Sequence, residues 1–164
     1  MEESWHLNLR PIVESDVEDL RRIRERPEVS KWWDPVEDDF PWEEPESTRL
    51  TMEVDGRVAG MIQYYEETEP KFRHAGIDIF MDPDLHGQGI GTEAVRRVAR
   101  ILFEELGHHR VIIDPAADNK AAIRAYEKVG FKANGIARKA ERDEDQNGWH
   151  DTLMMDLLVE EFDS

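Results

Sequence analysis

The segment from Asp84 to Val98, DLHGQGIGTEAVRRV, carries glycines at alternate positions directly before a stretch with helical spacing. A flexible turn would explain Gly87, Gly89 and Gly91, but glycines also let backbone N–H groups approach a ligand closely. Because the N-terminal end of a helix attracts anions, the arrangement predicts a phosphate-binding loop. Neither a Walker A loop nor a dinucleotide fingerprint fits, since no Lys-Ser/Thr follows and the glycines run GxGxG.

A second candidate for chemistry is Asp78, the one charged residue in the strand-like run AGIDIFM, residues 75–81. A carboxylate among apolar neighbours can act in acid–base chemistry when it faces a cavity. The pattern alone leaves open whether Asp78 points inward or into solvent. The histidines lack the spacing of metal ligands, so no metal site is predicted, and His108 and His109, after Gly107, are expected in an exposed loop.

Length and composition indicate one domain spanning residues 1–164. The chain has no apolar run long enough to cross a bilayer, and its first residues, MEESWHLNLRP, lack the features of a signal peptide. We therefore expect a cytoplasmic protein that does not contact membranes. The absence of cysteine excludes disulfides, thiolate catalysis and cysteine-ligated zinc.

The chain is strongly acidic, with 38 Asp and Glu against 21 Lys and Arg, a net charge of −17 and a pI of about 4.7. Such a charge repels nucleic acids and anionic membranes and attracts cationic ligands. It favours a polycationic partner. A surface kept acidic for solubility is the alternative.

Periodicity and turn signals predict the element order β-α-α-β-β-β-α-β-α-β-β. The helices include one capped by Ser15 and Glu18 and one beginning near Thr92, and Asp55-Gly56 predicts a hairpin turn. The predicted strands cover residues 6–12, 49–54, 57–65, 75–81, 111–113, 131–137 and 152–158. The tract RKAERDEDQNG, residues 138–148, is expected to be an exposed hairpin loop. This order implies a mixed sheet with helices on its faces, an α/β or α+β fold.

Two segments resemble signatures of the GNAT superfamily of N-acetyltransferases. HGQGIG, from His86 to Gly91, resembles Q/R-x-x-G-x-G/A, with histidine where that family prefers Gln or Arg. The run from Asp118 to Phe131 resembles N-x-x-A-x-x-x-Y-x-x-x-G-F. The resemblance implies a GNAT fold, which has a mixed, mostly antiparallel sheet of six to seven strands, about four helices, and a splayed parallel strand pair that holds acetyl-CoA.

The same resemblance implies how acetyl-CoA is bound. The amides from Gln88 to Thr92 would hold the pyrophosphate, and the pantetheine arm would lie between the strands 75–81 and 111–113. Tyr126 would protonate the departing thiolate, although core packing would also explain this tyrosine. A backbone N–H of Phe80 or Met81 would polarise the acetyl carbonyl. The implied cofactor-binding residues are Phe80, Met81, His86, Gly87, Gln88, Gly89, Ile90, Gly91, Thr92, Asn119, Ala122 and Tyr126.

A closer resemblance, to aminoglycoside 6'-N-acetyltransferases, rests on the segments VSKWW (29–33), EETEP (66–70), GID (76–78) and DP (114–115). It implies that Asp78 is the base or amine anchor, Asp114 an ammonium ligand and Trp33 a wall of the sugar pocket. The implied substrate-binding residues are Trp32, Trp33, Tyr65, Glu66, Glu67, Asp78 and Asp114. Without a cysteine nucleophile, we expect direct transfer from acetyl-CoA to the 6'-amine of an aminoglycoside, the reaction of antibiotic resistance.

Two other functions remain open at this stage. The segment GWHD (148–151) with the following TLMMDLL, and the opening LRP, are similar to N-terminal protein acetyltransferases that modify ribosomal proteins. A binding module for acetyl-CoA or a cation, without turnover, is the alternative from another class. The chain could act as a monomer or a homodimer.

Overall fold

The computed structural model describes residues 4–33, 37–42, 46–143 and 147–162. They form one seven-stranded sheet and four α-helices in the predicted order. The strands are β1 (Leu7–Pro11), β2 (Ser47–Val54), β3 (Arg57–Glu67), β4 (His74–Met81), β5 (Arg110–Ile113), β6 (Lys132–Arg142) and β7 (Trp149–Leu158). The helices are α1 (Val17–Arg24), α2 (Pro27–Ser30), α3 (Ile90–Arg100) and α4 (Lys120–Val129).

Helices cover both faces of the sheet, because successive strand side chains point to opposite faces. In β3, Ile62 packs in a core with α3 and α4, whereas the preceding residue, Met61, packs in a second core with α1 and α2. In β4, Ile77 joins the first core and Phe80 the second. The sheet is thus buried from both sides near its centre.

The strand order is β1-β2-β3-β4-β5-β7-β6, and only β4 and β5 run parallel. Their pairing is confined to Ala75 with Val111 and Gly76 with Ile112. From Ile77 to Met81, β4 continues without β5 beside it, so the two strands diverge. The predicted GNAT architecture, including the splayed parallel pair, is confirmed.

The predicted hairpin turn is also confirmed. Asp55 and Gly56 connect β2 to β3 with φ values of 51° and 82°. Positive φ at both central residues is the geometry that Asp-Gly favours in tight hairpins.

The start of α3 at Ile90 agrees with the helix predicted to begin near Thr92. Two other local predictions were wrong. Ser15 caps no helix, because the chain forms a short 3-10 turn at residues 14–16 before α1. His108 is buried, not exposed, and its Nε2 lies 2.7 Å from Glu66 Oε2.

The tract expected to be a hairpin loop is largely strand. β6 extends to Arg142 because Glu141 pairs with His150 and Arg142 with Trp149 across the ladder. The remaining part of that loop, residues 144–146, lies outside the described residues, as do residues 34–36 and 43–45 of the acidic segment after α2. Across the described ranges, no helix is long and apolar enough to span a membrane.

Candidate active site

The glycine loop connects the free end of β4 to the N-terminus of α3. Gly87 and Gly89 have φ values of 82° and 84°, a left-handed conformation in which other residues are strained. No atom lies within 4 Å of the position that a Cβ would take at either glycine. Gly89 is the N-cap of α3, whose first amides have no partner within the helix and favour an anion.

Side chains around the loop hold it in place. Trp5 Nε1 donates a hydrogen bond to the Gln88 carbonyl at 3.0 Å, and His86 Nε2 lies 3.1 Å from the Met81 carbonyl. Arg26 lies 3.6 Å from Asp82 and 3.4 Å from Asp84 in ion pairs at the other end of the loop. The amides of the loop are therefore presented on a fixed backbone.

A cavity of about 580 Å³ extends from this loop along the diverging end of β4. All of the predicted cofactor-binding residues line it except Gln88 and Ile90, whose side chain is fully buried in the core. It is also lined by cationic side chains that the sequence analysis did not identify: Lys31, Lys120, Arg124 and Lys128. In a chain of net charge −17, amides and cations around one cavity fit the phosphates of acetyl-CoA.

A second cavity, also of about 580 Å³, adjoins the first. The residues that line both cavities are Trp32, Trp33, Ile79, Asn119, Ala122 and Tyr126. Because the cavities share these walls, groups bound in the two would meet between α2, β4 and α4. This shared wall is the place where a group could be transferred.

Asp78 faces the second cavity. Its neighbour across the β3–β4 ladder is Gln63, whose Nε2 donates a hydrogen bond to Asp78 Oδ2 at 3.3 Å. The amide of Gln63 is oriented from its other side by Arg49 Nε, which donates to Oε1 at 2.9 Å. Burial raises the pKa of Asp78, the hydrogen bond from Gln63 opposes that shift, and the charge of Glu141 adds to it.

Asp114 and Tyr126 line the second cavity as well. Asp114 follows β5, and its side chain is partly open to solvent. Desolvation by the cavity walls raises its pKa to about 6, and the charges of Asp78 and Glu141 add to the shift. Tyr126 is buried, and burial followed by the two aspartates raises its pKa well above that of a free phenol. The phenol therefore keeps its proton at neutral pH.

The tryptophans Trp32 and Trp33 form an aromatic wall shared by the two cavities. The Trp33 ring meets Phe80 edge to face with centroids 5.4 Å apart, and the guanidinium of Arg24 lies 5.1 Å from its centroid. These contacts fix the ring at the end of α2. Aromatic faces of this kind bind sugar rings and cations.

The structure does not bring the other predicted substrate-binding residues to the second cavity. Tyr65, Glu66 and Glu67 pair with Gly76, Ala75 and His74, at the end of β4 that is still covered by β5. The Tyr65 ring packs against Gly76, and Glu66 bonds the buried His108. Substrate contacts by these residues remain predictions that this geometry does not support.

The second cavity also contains residues that the sequence analysis missed. Gln63 and Arg49 reach it from β3 and β2, and Glu141 reaches it from β6. A polar side chain in a predicted strand was the available signal for Arg49 and Gln63, as it was for Asp78. Glu141 had no such signal, because its segment has the composition of a solvated loop.

In the described part of the chain, no group of three or more His, Asp and Glu side chains is arranged to hold a metal ion. The site is instead built from amides, carboxylates, aromatic rings and one buried phenol. Such a set suits transfer of an acyl group between two bound molecules.

Comparison with known proteins agrees with this geometry. The chain is 35% identical to the probable N-acetyltransferase YjcK of Bacillus subtilis (strain 168) over 105 residues, 63% of this chain and 56% of that protein. It is 39% identical to aminoglycoside N(6')-acetyltransferase type 1 of Klebsiella pneumoniae over 71 residues, 43% of this chain and 34% of that protein. Spermidine N(1)-acetyltransferase of Escherichia coli (strain K12) is 24% identical over 145 residues, 82% of this chain and 77% of that protein. The first two matches thus span about half or less of those relatives.

Solved structures have the same fold. A probable acetyltransferase superimposes with a TM-score of 0.82 at 26% identity, covering 96% of this chain and 95% of the other. Aminoglycoside acetyltransferase AAC(6')-Ib in complex with coenzyme A superimposes with a TM-score of 0.72 at 23% identity, covering 94% and 96%. The model of the acetyltransferase (GNAT) family matches residues 13–131, which include the glycine loop, both strands of the splay and α4. This chain therefore belongs to the acetyltransferase (GNAT) family.

Proposed function

We propose that this enzyme transfers the acetyl group of acetyl-CoA to the 6'-amine of aminoglycosides. The observation that carries the proposal is the second cavity, in which Asp78 and Asp114 stand beside the aromatic wall and next to the acetyl-CoA cavity. A sugar with several ammonium groups is recognised by carboxylates and aromatic faces together. The local similarity to an aminoglycoside N(6')-acetyltransferase supports this choice of substrate.

Acetyl-CoA supplies the acetyl group as a thioester, and attack by a neutral amine forms the amide and releases the thiol of CoA. An amine must lose a proton before it can attack, so a base is required near the shared wall. Asp78 is the proposed base or amine anchor, directly or through water. Its raised pKa makes it a stronger base than a free aspartate, and Gln63 holds the carboxylate towards the cavity.

Tyr126 is the proposed proton donor to the departing thiolate. It lines both cavities, and its raised pKa keeps the phenol protonated in the range where the amine is deprotonated. Backbone amides of Phe80 or Met81 are the proposed donors to the acetyl carbonyl. This part of β4 has no β5 neighbour, so amides on that edge can bind a ligand oxygen.

Release of CoA from acetyl-CoA by the purified protein tests the proposal. The acceptors are an aminoglycoside with a 6'-amino group, its counterpart with a 6'-hydroxyl group, spermidine, and a peptide with a free Ser or Ala N-terminus. Turnover with the 6'-amino compound and not with its hydroxyl counterpart is the expected result.

Turnover confined to the peptide would assign the chain to N-terminal protein acetylation, and turnover confined to spermidine would assign it to polyamine acetylation. Binding of acetyl-CoA without release of CoA in the presence of any acceptor would indicate a binding module. Each of these three results would contradict the proposed substrate.

A further inference from the structure

The β6–β7 hairpin brings the carboxylate of Glu141 to the cavity that Glu37, Asp78 and Asp114 also line. The ladder pairs Ala137 with Thr152 and Glu141 with His150, so residues 138–140 of β6 stand opposite a single residue of β7. Such a bulge bends a strand and changes where its side chains point, and bulges are frequent beside active sites.

The bulge is held in a defined conformation. Lys139 has a φ of 49°, a left-handed conformation that is uncommon outside glycine, and its N–H donates to Asp151 Oδ1 at 2.8 Å. A non-glycine residue keeps such a conformation where its surroundings require it. The conformation of the bulge therefore fixes the position of Glu141, which lies directly after it.

His150 holds Glu141 from the neighbouring strand. Its Nε2 lies 2.9 Å from Glu141 Oε1, and its Nδ1 lies 3.0 Å from Asp143 Oδ1. Burial opposes a charge on His150, but the hydrogen bonds with Asp143 and Glu141 outweigh it and raise its pKa. Among the described residues, none donates a hydrogen bond to Oε2 of Glu141, so this oxygen can accept one from a ligand in the cavity.

The charge of Glu141 acts on Asp78 and Asp114. It adds to the burial that raises the pKa of Asp78 and of Asp114, and all three side chains line the same cavity. The cationic side chains of the same cavity make contacts of their own: Arg49 bonds Gln63 and the Trp42 carbonyl, and the guanidiniums of Arg24 and Arg142 lie over tryptophan rings. A ligand with two or more ammonium groups would relieve the repulsion among the carboxylates.

We propose that Glu141 determines acceptor specificity by binding a second ammonium group, so that the enzyme prefers polyamines and amino sugars with several charges to monoamines. The inference rests on the proposed function in placing the acceptor in the second cavity. His150 is a positioning residue that directs Glu141 towards the acceptor. Asp78 and Asp114 then remain available to interact with the reacting amine and the groups next to it.

The test compares kcat/KM of the wild type and of Glu141→Gln for two matched pairs of acceptors. The first pair is a 6'-amino aminoglycoside and 6-amino-6-deoxyglucose, which carries the same kind of primary amine and a single charge. The second pair is spermidine and butylamine. Glu160→Gln, on the exposed turn after β7, is the matched control because it removes the same charge outside the cavity.

We expect Glu141→Gln to lower kcat/KM for the multiply charged acceptor by about tenfold, through KM, and for the monoamine by less than about twofold. His150→Ala should reduce the same preference by a smaller factor, and Glu160→Gln should leave it unchanged. The ratio of kcat/KM for the two acceptors is unaffected by a general loss of folded enzyme, and thermal unfolding measures that loss separately.

An equal loss for both members of a pair, or no loss for either, would overturn the role of Glu141. A wild-type enzyme that acetylates only the spermidine pair would refute the aminoglycoside proposal, while Glu141 would still be tested on that pair. An enzyme that acetylates no member of either pair would overturn both.

Discussion

Replacement of Gln63 by methionine should move the acidic side of the pH–rate profile to higher pH. Gln63 lies opposite Asp78 on the β3–β4 ladder and donates to its Oδ2 at 3.3 Å. Arg49 binds the carbonyl oxygen of the same amide, which leaves the NH₂ group facing Asp78. Methionine has a similar length but no donor, so the substitution removes the hydrogen bond and preserves the packing.

The size of the shift follows from the strength of this hydrogen bond. A hydrogen bond to a charged group contributes about 1.5 to 3 kcal/mol, and a distance of 3.3 Å is longer than the usual one, so the lower end applies. Since about 1.4 kcal/mol corresponds to one pKa unit, the pKa of Asp78 should rise by about one unit.

The sign follows from the role of Asp78. Only the ionised carboxylate can accept the proton of the substrate ammonium, so activity is lost as pH falls below the pKa of Asp78. A higher pKa in Gln63→Met therefore lowers kcat/KM by about tenfold on the acidic side of the profile and changes it little at high pH. Gln63→Glu, which removes the donor and adds a negative charge, should shift the profile further in the same direction.

The assay is kcat/KM for CoA release as a function of pH with one amine acceptor. The titratable side chains that line the cavity with Asp78 are Glu37, Asp114, Tyr126 and Glu141. Because the pKa of Asp114 is about 6, the profile is also measured in an Asp114→Asn background, where one of the coupled carboxylates no longer titrates. A rate that falls equally at all pH values in both Gln63 variants would refute the reasoning and leave Gln63 a packing residue.

Three further predictions concern single residues. Asp78→Asn should lower kcat by about 10²-fold or more and leave the Kd for acetyl-CoA within about twofold, because an amide accepts no proton and Asp78 lies outside the acetyl-CoA cavity. Unchanged turnover, with the Kd measured by calorimetry, would remove Asp78 from the reaction. Tyr126→Phe should slow CoA release by about tenfold without lowering Tm, and an unaffected rate would mean that water supplies the proton. Asp16→Asn should lower the free energy of unfolding in urea by about 1 to 2 kcal/mol at neutral pH, a magnitude that allows for solvent screening of the partly exposed Arg10. The hydrogen bond from Arg10 is the largest cause that lowers the pKa of Asp16, to about 2. Burial opposes this shift, and hydrogen bonds from Val13 and Thr51 add to it. The ionised form of Asp16 is the stabilising one, so the difference should be present above about pH 4 and vanish as pH falls to about 2; a difference that persists at the lower pH would contradict the assignment.

The features of the site that could be predicted from sequence are those formed by a single short segment of the chain. The glycine loop requires left-handed φ values followed by a helix. The glycines of HGQGIG predict the first, and the apolar spacing after them predicts the second. The order of strands and helices follows from periodicity and turn residues for the same reason. Asp78 could be identified because a charge inside an apolar strand is a local contrast.

Pairing between distant segments was decided only in the folded chain. The turn at Asp55-Gly56 sets Val54 opposite Arg57, and a regular ladder from there would place Arg49 opposite Ile62. A bulge between Met52 and Glu53 shifts the register by one residue, so that Arg49 meets Gln63 and orients it towards Asp78. A one-residue shift exchanges the faces of a strand, and no turn residue marks this bulge in the sequence.

The sequence by itself thus determined the family, the acetyl-CoA loop and the candidate base, because each depends on residues close together in the chain. The tertiary structure decided which side chains surround the acceptor. It placed Glu66 against the buried His108, away from the second cavity, and brought Glu141 into that cavity from a segment with the composition of a loop. The charge of a residue is written in the sequence, but the partner that it meets depends on register, bulges and the divergence of β4 from β5, which arise only when the whole sheet has formed.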